Sequence, residues 1–238
     1  MEHSGIHWLD GGNTQNWWEG CNQVSAGCDG CYAMQDNTRF KRVIWNAKPR
    51  RTSAANWKMP FLWNRKAAHD GVRIKVMVMS LGDFLDNQAE ESWRVEAWNI
   101  MRQCKNLDWL IVIKRPQNFS RMLPPDWGDG WDHVWLGVSA ENQTEADRRI
   151  PILLETPAKL RWVSGEPLLG PINLRRYLAR LDWIVVGGES HTGWRPMDFA
   201  WVEDIRDQCA GFGVPFFMKQ VAAFRPTDDM IPAHLLIR

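Results

Sequence analysis

Short apolar runs rich in β-branched residues alternate along this chain with polar turns, and the turns lead into stretches where apolar residues recur every three or four positions. The runs cover residues 6–9, 74–80, 109–113, 133–138, 160–164, 182–186 and 214–218. Helical periodicity is clearest over 89–104, 143–154 and 200–211. The last stretch is closed by Gly211 and Gly213 with Pro215 beyond, and Pro171-Ile172-Asn173 opens a shorter helix. Strand, turn, helix in regular succession is the pattern of parallel β/α units. Their number and regularity predict an α/β fold, a parallel (β/α)6–8 barrel of the TIM type, complete or partial. No linker or fixed-period repeat interrupts the chain, which reads as one domain over 1–238 with a basic, aromatic-rich insertion at about 39–69.

In such a barrel the chemistry sits where the strands end. The residues just past the runs are Ser80-Leu81-Gly82-Asp83, Lys114-Arg115-Pro116, Ser139-Ala140-Glu141-Asn142-Gln143, Ser164-Gly165-Glu166-Pro167, Gly187-Gly188-Glu189-Ser190 and Lys219-Gln220. Lys114 and Lys219 directly follow apolar strands, a costly place for an ammonium unless it is paired with a carboxylate such as Asp83, Glu141, Glu166 or Glu189. Lys114, Glu166 and Lys219 are therefore the candidate catalytic groups. Such a ring could bind a phosphate, a carboxylate or a zwitterion, and it could equally be a salt-bridge network that closes the barrel top. Arg195, in the loop His191-Thr192-Gly193-Trp194-Arg195-Pro196, is either an anion anchor or a surface arginine.

Soft metal ligands are concentrated in one place. Cys21, Cys28 and Cys31 form a C-x6-C-x2-C cluster following the first run. Three thiolates can hold three irons of a 4Fe-4S cluster and leave the fourth open to a ligand. Zinc is the alternative, and it would need one of His3, His7, His69, His133, His191 or His234 as a fourth ligand, none at a knuckle-like offset. Cys104 and Cys209 fall on the apolar faces of their helices and read as core residues. Five cysteines in 238 residues, no apolar leader and no run that spans a bilayer point to a reducing, cytoplasmic setting without disulfides or membrane contact.

The net charge of +1 excludes a strongly basic nucleic-acid coat protein. Local charge differs. No acidic residue occurs between Arg39 and His69, where Arg39, Lys41, Arg42, Lys48, Arg50, Arg51, Lys58, Arg65 and Lys66 are interleaved with Phe40, Trp45, Trp57, Phe61 and Trp63. That segment either tracks phosphates and stacks bases, or packs its aromatics back on the core with the charges in solvent.

Trp17-Trp18-Glu19-Gly20-Cys21 and Gly27-Cys28-Asp29-Gly30-Cys31-Tyr32-Ala33 resemble a family of often phage-encoded proteins with a three-cysteine motif, itself similar to the radical S-adenosylmethionine superfamily. The likeness extends through Lys114-Arg115-Pro116, Glu166-Pro167-Leu168-Leu169-Gly170, Arg195-Pro196-Met197 and Phe217-Met218-Lys219-Gln220. It implies a partial (β/α)6 barrel in which Cys21, Cys28 and Cys31 ligate a 4Fe-4S cluster and S-adenosylmethionine chelates the open iron. One-electron cleavage then yields a 5′-deoxyadenosyl radical, the protein supplying orientation and protection. By the same resemblance Gly82 and Asp83 lie where the methionine amino group is met, and Ser139, Glu141 and Asn142 where ribose or carboxylate is met. Glu189 and Arg195 complete the candidate cofactor-binding set from the strand-end reading, not from the superfamily motif. Three features depart from the superfamily pattern: the first cysteine gap is six rather than three, the aromatic Tyr32 follows Cys31 instead of preceding it, and the glycine-glycine-glutamate run usual after the second strand occurs only after the sixth, as Gly187-Gly188-Glu189.

The expected function is a radical S-adenosylmethionine enzyme acting on an anionic substrate such as a nucleotide or a base in phage DNA. Its partners are an external electron donor and, through 39–69, DNA. The rivals are a zinc-stabilised nucleic-acid-binding protein and an iron–sulfur enzyme that does not use S-adenosylmethionine.

Overall fold

A computed structural model describes residues 6, 9–35 and 45–236. Seven strands form one parallel sheet: β1 (Asn13–Gln15), β4 (Ile74–Val78), β5 (Leu107–Ile113), β6 (Val134–Ser139), β7 (Leu160–Gly165), β8 (Trp183–Gly187) and β9 (Phe216–Gln220), adjacent in that order. Two short strands, β2 (Trp18–Glu19) and β3 (Arg50–Arg51), pair antiparallel beside it. The helices are α1 (Ala54–Asp70), α2 (Glu91–Gln103), α3 (Phe119–Met122), α4 (Gln143–Glu155), α5 (Arg175–Leu178) and α6 (Phe199–Phe212), and residues 32–35 are also helical. The sheet curls into a half-barrel. Among the described strands β1 and β9 are its two edges and do not pair, so the complete barrel allowed by the sequence is not formed.

The strand period of two sorts side chains onto two apolar faces, as parallel sheets require. One set, including Val76, Val78, Trp109, Ile111, Leu136, Val138, Ile184 and Val186, packs with Ala97, Met101, Ile150, Leu153, Val202 and Ile205 of the helices. Cys104 and Cys209 belong to this core, as expected, and burial pushes both thiols up to about 12. The other set, Met77, Leu110, Trp162 and Val185 with Leu9, fills the concave side. Gly137 stands next to Trp162 in the β6–β7 register, and a Cβ there would lie 2.5 Å from the indole nitrogen. Trp162 is fully buried and cannot yield. Gly137→Ala is therefore expected to destabilise the fold by about 1–3 kcal/mol through overpacking, read as a lower denaturation midpoint at unchanged m-value.

One sequence expectation is corrected here, and one open alternative is narrowed. Of the expected first strand 6–9, residues 7 and 8 lie outside the described residues, and Ile6 and Leu9 are not in the sheet: Leu9 leads a turn closed by Gly12 N to Leu9 O, and the first described sheet strand is Asn13–Gln15, whose polar sequence lacks the usual strand signature. The 39–69 stretch contains α1, capped by Ser53 accepting from Asn56 N and ended by Gly71 at φ 66°. Trp57, Pro60, Trp63 and Ala67 make its buried stripe, so Trp57 and Trp63 follow the alternative in which the aromatics pack back on the core. Of its cations, Lys48, Arg50, Arg51 and Lys66 pair with Glu90, Glu19, Glu96 and Asp70. Arg39, Phe40, Lys41 and Arg42 lie outside the described residues, as do His3 and His7. Among the described residues no helix is long and apolar enough to cross a membrane.

Candidate functional site

The cysteine loop starts from a rigid base. Trp17 and Trp18 are fully buried, Trp18 stacking on Phe84 at 5.6 Å and Trp17 on Trp109 at 5.7 Å. Beyond this anchor the loop crosses the carboxyl ends of the strands, where Cys21, Cys28 and Cys31 line one cavity of about 170 Å³ together with Asp83, Lys114, Ser139, Glu166 and Lys219. A second cavity of about 460 Å³ adjoins it and shares Cys31, Tyr32, Ser80, Lys114, Glu166 and Lys219. Its wall includes Thr14 of β1 and Lys219 of β9, so it fills the gap between the two sheet edges.

Three arginine–carboxylate pairs grip the loop. Arg115, 5% exposed, donates through Nη1 to Asp83 at 3.0 Å and through Nη2 to the Asn22 carbonyl, and its Nη1 lies 3.6 Å from Cys21 Sγ. Asp86 accepts from Asn22 N at 2.8 Å. Arg149 donates to Glu141 and to the Ser139 carbonyl, both at 2.8 Å, and to Ser25 Oγ at 2.8 Å, while Glu141 accepts from Gly27 N at 3.1 Å. Arg195 pairs with Glu189 and donates to the Ala26 carbonyl at 2.8 Å. Burial alone would raise Glu141 and Glu189, but Arg149 and Arg195 outweigh it and both carboxyls end below their ordinary range. For Arg115, burial pulls down, yet Asp83, the Cys21 sulfur and Asp86 together drive it up.

The thiols respond to burial. Desolvation first, then the Asp83 charge, raises Cys21, and desolvation raises Cys31 against the pull of nearby Lys114. Burial therefore favours the thiol form at both, and a bound metal would supply the positive charge that favours thiolate. Among the described residues no three or more histidines, cysteines, aspartates or glutamates gather as a site for one metal ion. A 4Fe-4S cluster spreads its cysteines over different irons and does not need three sulfurs around one centre. The donor set of soft sulfurs on one cavity, flanked by Arg115 and Lys114, fits such a cluster.

The predicted residues divide into two groups. Lys114, Glu166, Lys219, Ser139, Gly82 and Asp83 line the first cavity, where Lys219 Nζ lies 2.8 Å from Glu166 Oε1 and Ser164 Oγ donates to Glu166 Oε2 at 3.0 Å. The Lys114 ammonium has no ion pair among the described residues. Asn142 instead caps α4, accepting from Glu145 N at 3.0 Å. Glu141 and Arg195 direct their charges at the loop's own backbone, and Glu189 pairs with Arg195.

Arg149, Arg115 and Asp86 were not among the candidates. Arg149 had a legible signal: it lies on the apolar stripe Ala146, Ile150, Leu153 of α4, where a charge must have a buried partner. Tyr32, whose hydroxyl donates to the Ser80 carbonyl at 2.6 Å and whose ring stacks on His191 at 5.9 Å, forms the rim between the loops.

Residues 3–234 match the family model DUF5131, described as a protein of unknown function, and the chain belongs to that family. No curated protein and no solved structure matches it.

Proposed function

We propose that this protein is a 4Fe-4S enzyme of the radical S-adenosylmethionine type that modifies an anionic substrate, a nucleotide or a nucleic-acid base being the preferred class. The observation that carries the reading is the position of Cys21, Cys28 and Cys31: three thiols on one cavity at the carboxyl end of a parallel half-barrel, facing Lys114 and Lys219. With its open iron engaged by S-adenosylmethionine, such a cluster would supply one-electron cleavage of the sulfonium and thereby a hydrogen-atom abstractor.

This chain's own residues supply binding, orientation and shelter. Lys114 offers an ammonium to an incoming phosphate or carboxylate, and Ser164 and Glu166 fix the direction of Lys219. The apolar concave face below the cavity, with Trp162 and Val185 buried, keeps water from the floor. The adjoining cavity of about 460 Å³, walled by Thr14 of β1 and Lys219 of β9, is the space offered to the substrate. The electron comes from an external donor, and a cytoplasmic setting supplies both the reductant and unoxidised thiols.

Anaerobic purification with cluster reconstitution tests the reading, by iron, sulfide and zinc analysis and by electron paramagnetic resonance of the reduced protein with and without S-adenosylmethionine. About four irons per chain and a spectrum changed by S-adenosylmethionine are expected. Four irons with an unchanged spectrum would leave an iron–sulfur enzyme of another kind, and stoichiometric zinc without iron uptake would end the proposal.

A further inference from the structure

Two positions of the cysteine loop that face barrel carboxylates are glycine. At Gly30, the residue before Cys31, a Cβ would lie 2.5 Å from Glu189 Oε1 and 2.9 Å from its carboxyl carbon. A flexible carboxylate could normally swing aside at small cost, but this one is pinned. Glu189 is 5% exposed and accepts from Arg195 N at 2.8 Å, from Arg195 Nε at 3.0 Å and from Arg195 Nη2. The same guanidinium donates to the Ala26 carbonyl at 2.8 Å, two residues before Cys28. One arginine thus holds the chain on the near side of Cys28 and, through Glu189, bears on the residue next to Cys31. The loop that carries it is tied on again by the Tyr32–His191 stack and by Gln35 Nε2 donating to the Thr192 carbonyl at 3.0 Å.

We infer that Glu189 and Arg195 are positioning residues that set the separation of the Cys28 and Cys31 sulfurs, and that glycine is required at 30 because only glycine admits the pair. The guanidinium is turned toward the loop: Nε and Nη2 are committed to Glu189 and the Ala26 carbonyl, and Nη1 lies 3.9 Å from Asp29 Oδ2 between Cys28 and Cys31. The inference rests on the cluster reading for what the separation serves, but the packing of the loop that fixes it can be read on the thiols alone, through how well each is held from a reagent.

The test uses the reduced, metal-free full chain and a maleimide, with modification of each cysteine followed by peptide mass spectrometry. Cys104 and Cys209, fully buried in the helical core, report on general unfolding. In Gly30→Ala, Cys28 and Cys31 should be labelled faster by about tenfold, the rate equivalent of one lost hydrogen bond to a buried charge, with Cys104 and Cys209 unchanged. Glu189→Asp in that background withdraws the carboxylate by one methylene and should return the rates toward wild type. Arg195→Lys, which keeps the charge and loses the fork, should reproduce the selective acceleration even where Gly30→Ala fails to fold.

Wild-type rates in Gly30→Ala and Arg195→Lys, a parallel rise at Cys104 and Cys209, or a double variant no slower than Gly30→Ala would each overturn the inference. Iron uptake, measured separately, keeps the two ideas apart. A wild-type chain that binds no iron yet shows the selective pattern sinks the cluster reading and leaves the positioning pair standing. A chain that binds iron equally in all variants with unchanged thiol rates sinks the pair alone.

Discussion

Replacing any one of Cys21, Cys28 or Cys31 with serine is expected to bring iron content to background after reconstitution, and with it the visible absorption and every cluster-dependent turnover. A hydroxyl is a hard, weakly acidic donor and does not substitute for thiolate on iron. These are cavity residues, so the folded state should survive the change with its denaturation midpoint nearly unmoved. Cys104→Ser and Cys209→Ser should show the reverse: iron retained, stability reduced by about 1–3 kcal/mol because a hydroxyl is left without a partner in the helical core. The two classes of cysteine are thus separated by one pair of measurements, iron per chain and denaturation midpoint. Iron retention in all three loop variants would remove the thiols from the site and the proposed function with them.

The largest stability loss is expected for Arg149→Met. The Arg149 side chain is 1% exposed and the Glu141 side chain fully buried, and their 2.8 Å contact is joined by Glu145, Ser25 and the Ser139 carbonyl. Removing the cation leaves Glu141 charged and uncompensated in the interior, a change that costs about 3–5 kcal/mol. The double variant Arg149→Met with Glu141→Gln should recover much of this, because the amide needs no countercharge and its oxygen can still accept from Gly27 N. A double variant as unstable as the single one would show that shape, not charge, governs the site.

The pH dependence has a fixed sign. The folded carboxyl of Glu141 lies below its ordinary value, so its contribution is fully present above the ordinary carboxylate range and is lost as pH falls through the depressed folded value. Arg149→Met removes the cause of the depression, and the acid limb of the stability curve should flatten.

The strands from β4 onward were legible because each is a short apolar run bounded by turns, and their carboxyl ends could be named without coordinates. β1 was not. Asn13-Thr14-Gln15 takes strand form by pairing with the buried Val76-Met77-Val78, a tertiary choice that overrides local preference. α1 was obscured by its charges, although Trp57, Pro60, Trp63 and Ala67 recur at helical spacing. The site was legible in its composition and not in its wiring. That Lys114, Glu166 and Lys219 share a cavity follows from strand order, whereas the direction in which Glu141 and Glu189 turn depends on Arg149 and Arg195, which no spacing rule couples to Gly27 and Gly30.

The residues that grip the cysteine loop are distributed along the chain in an order that matters during synthesis. A polypeptide emerges from the ribosome N-terminus first, so the three thiols leave the exit tunnel well before Asp83 and Arg115, then Glu141 and Arg149, and last Glu189 and Arg195. For most of translation the nascent chain therefore carries unguarded cysteines whose protein guardians have not yet been made. On the proposed function, cluster loading would in this way wait until Glu189 and Arg195 have been made, and protection of the growing chain falls to whatever reducing capacity surrounds the ribosome.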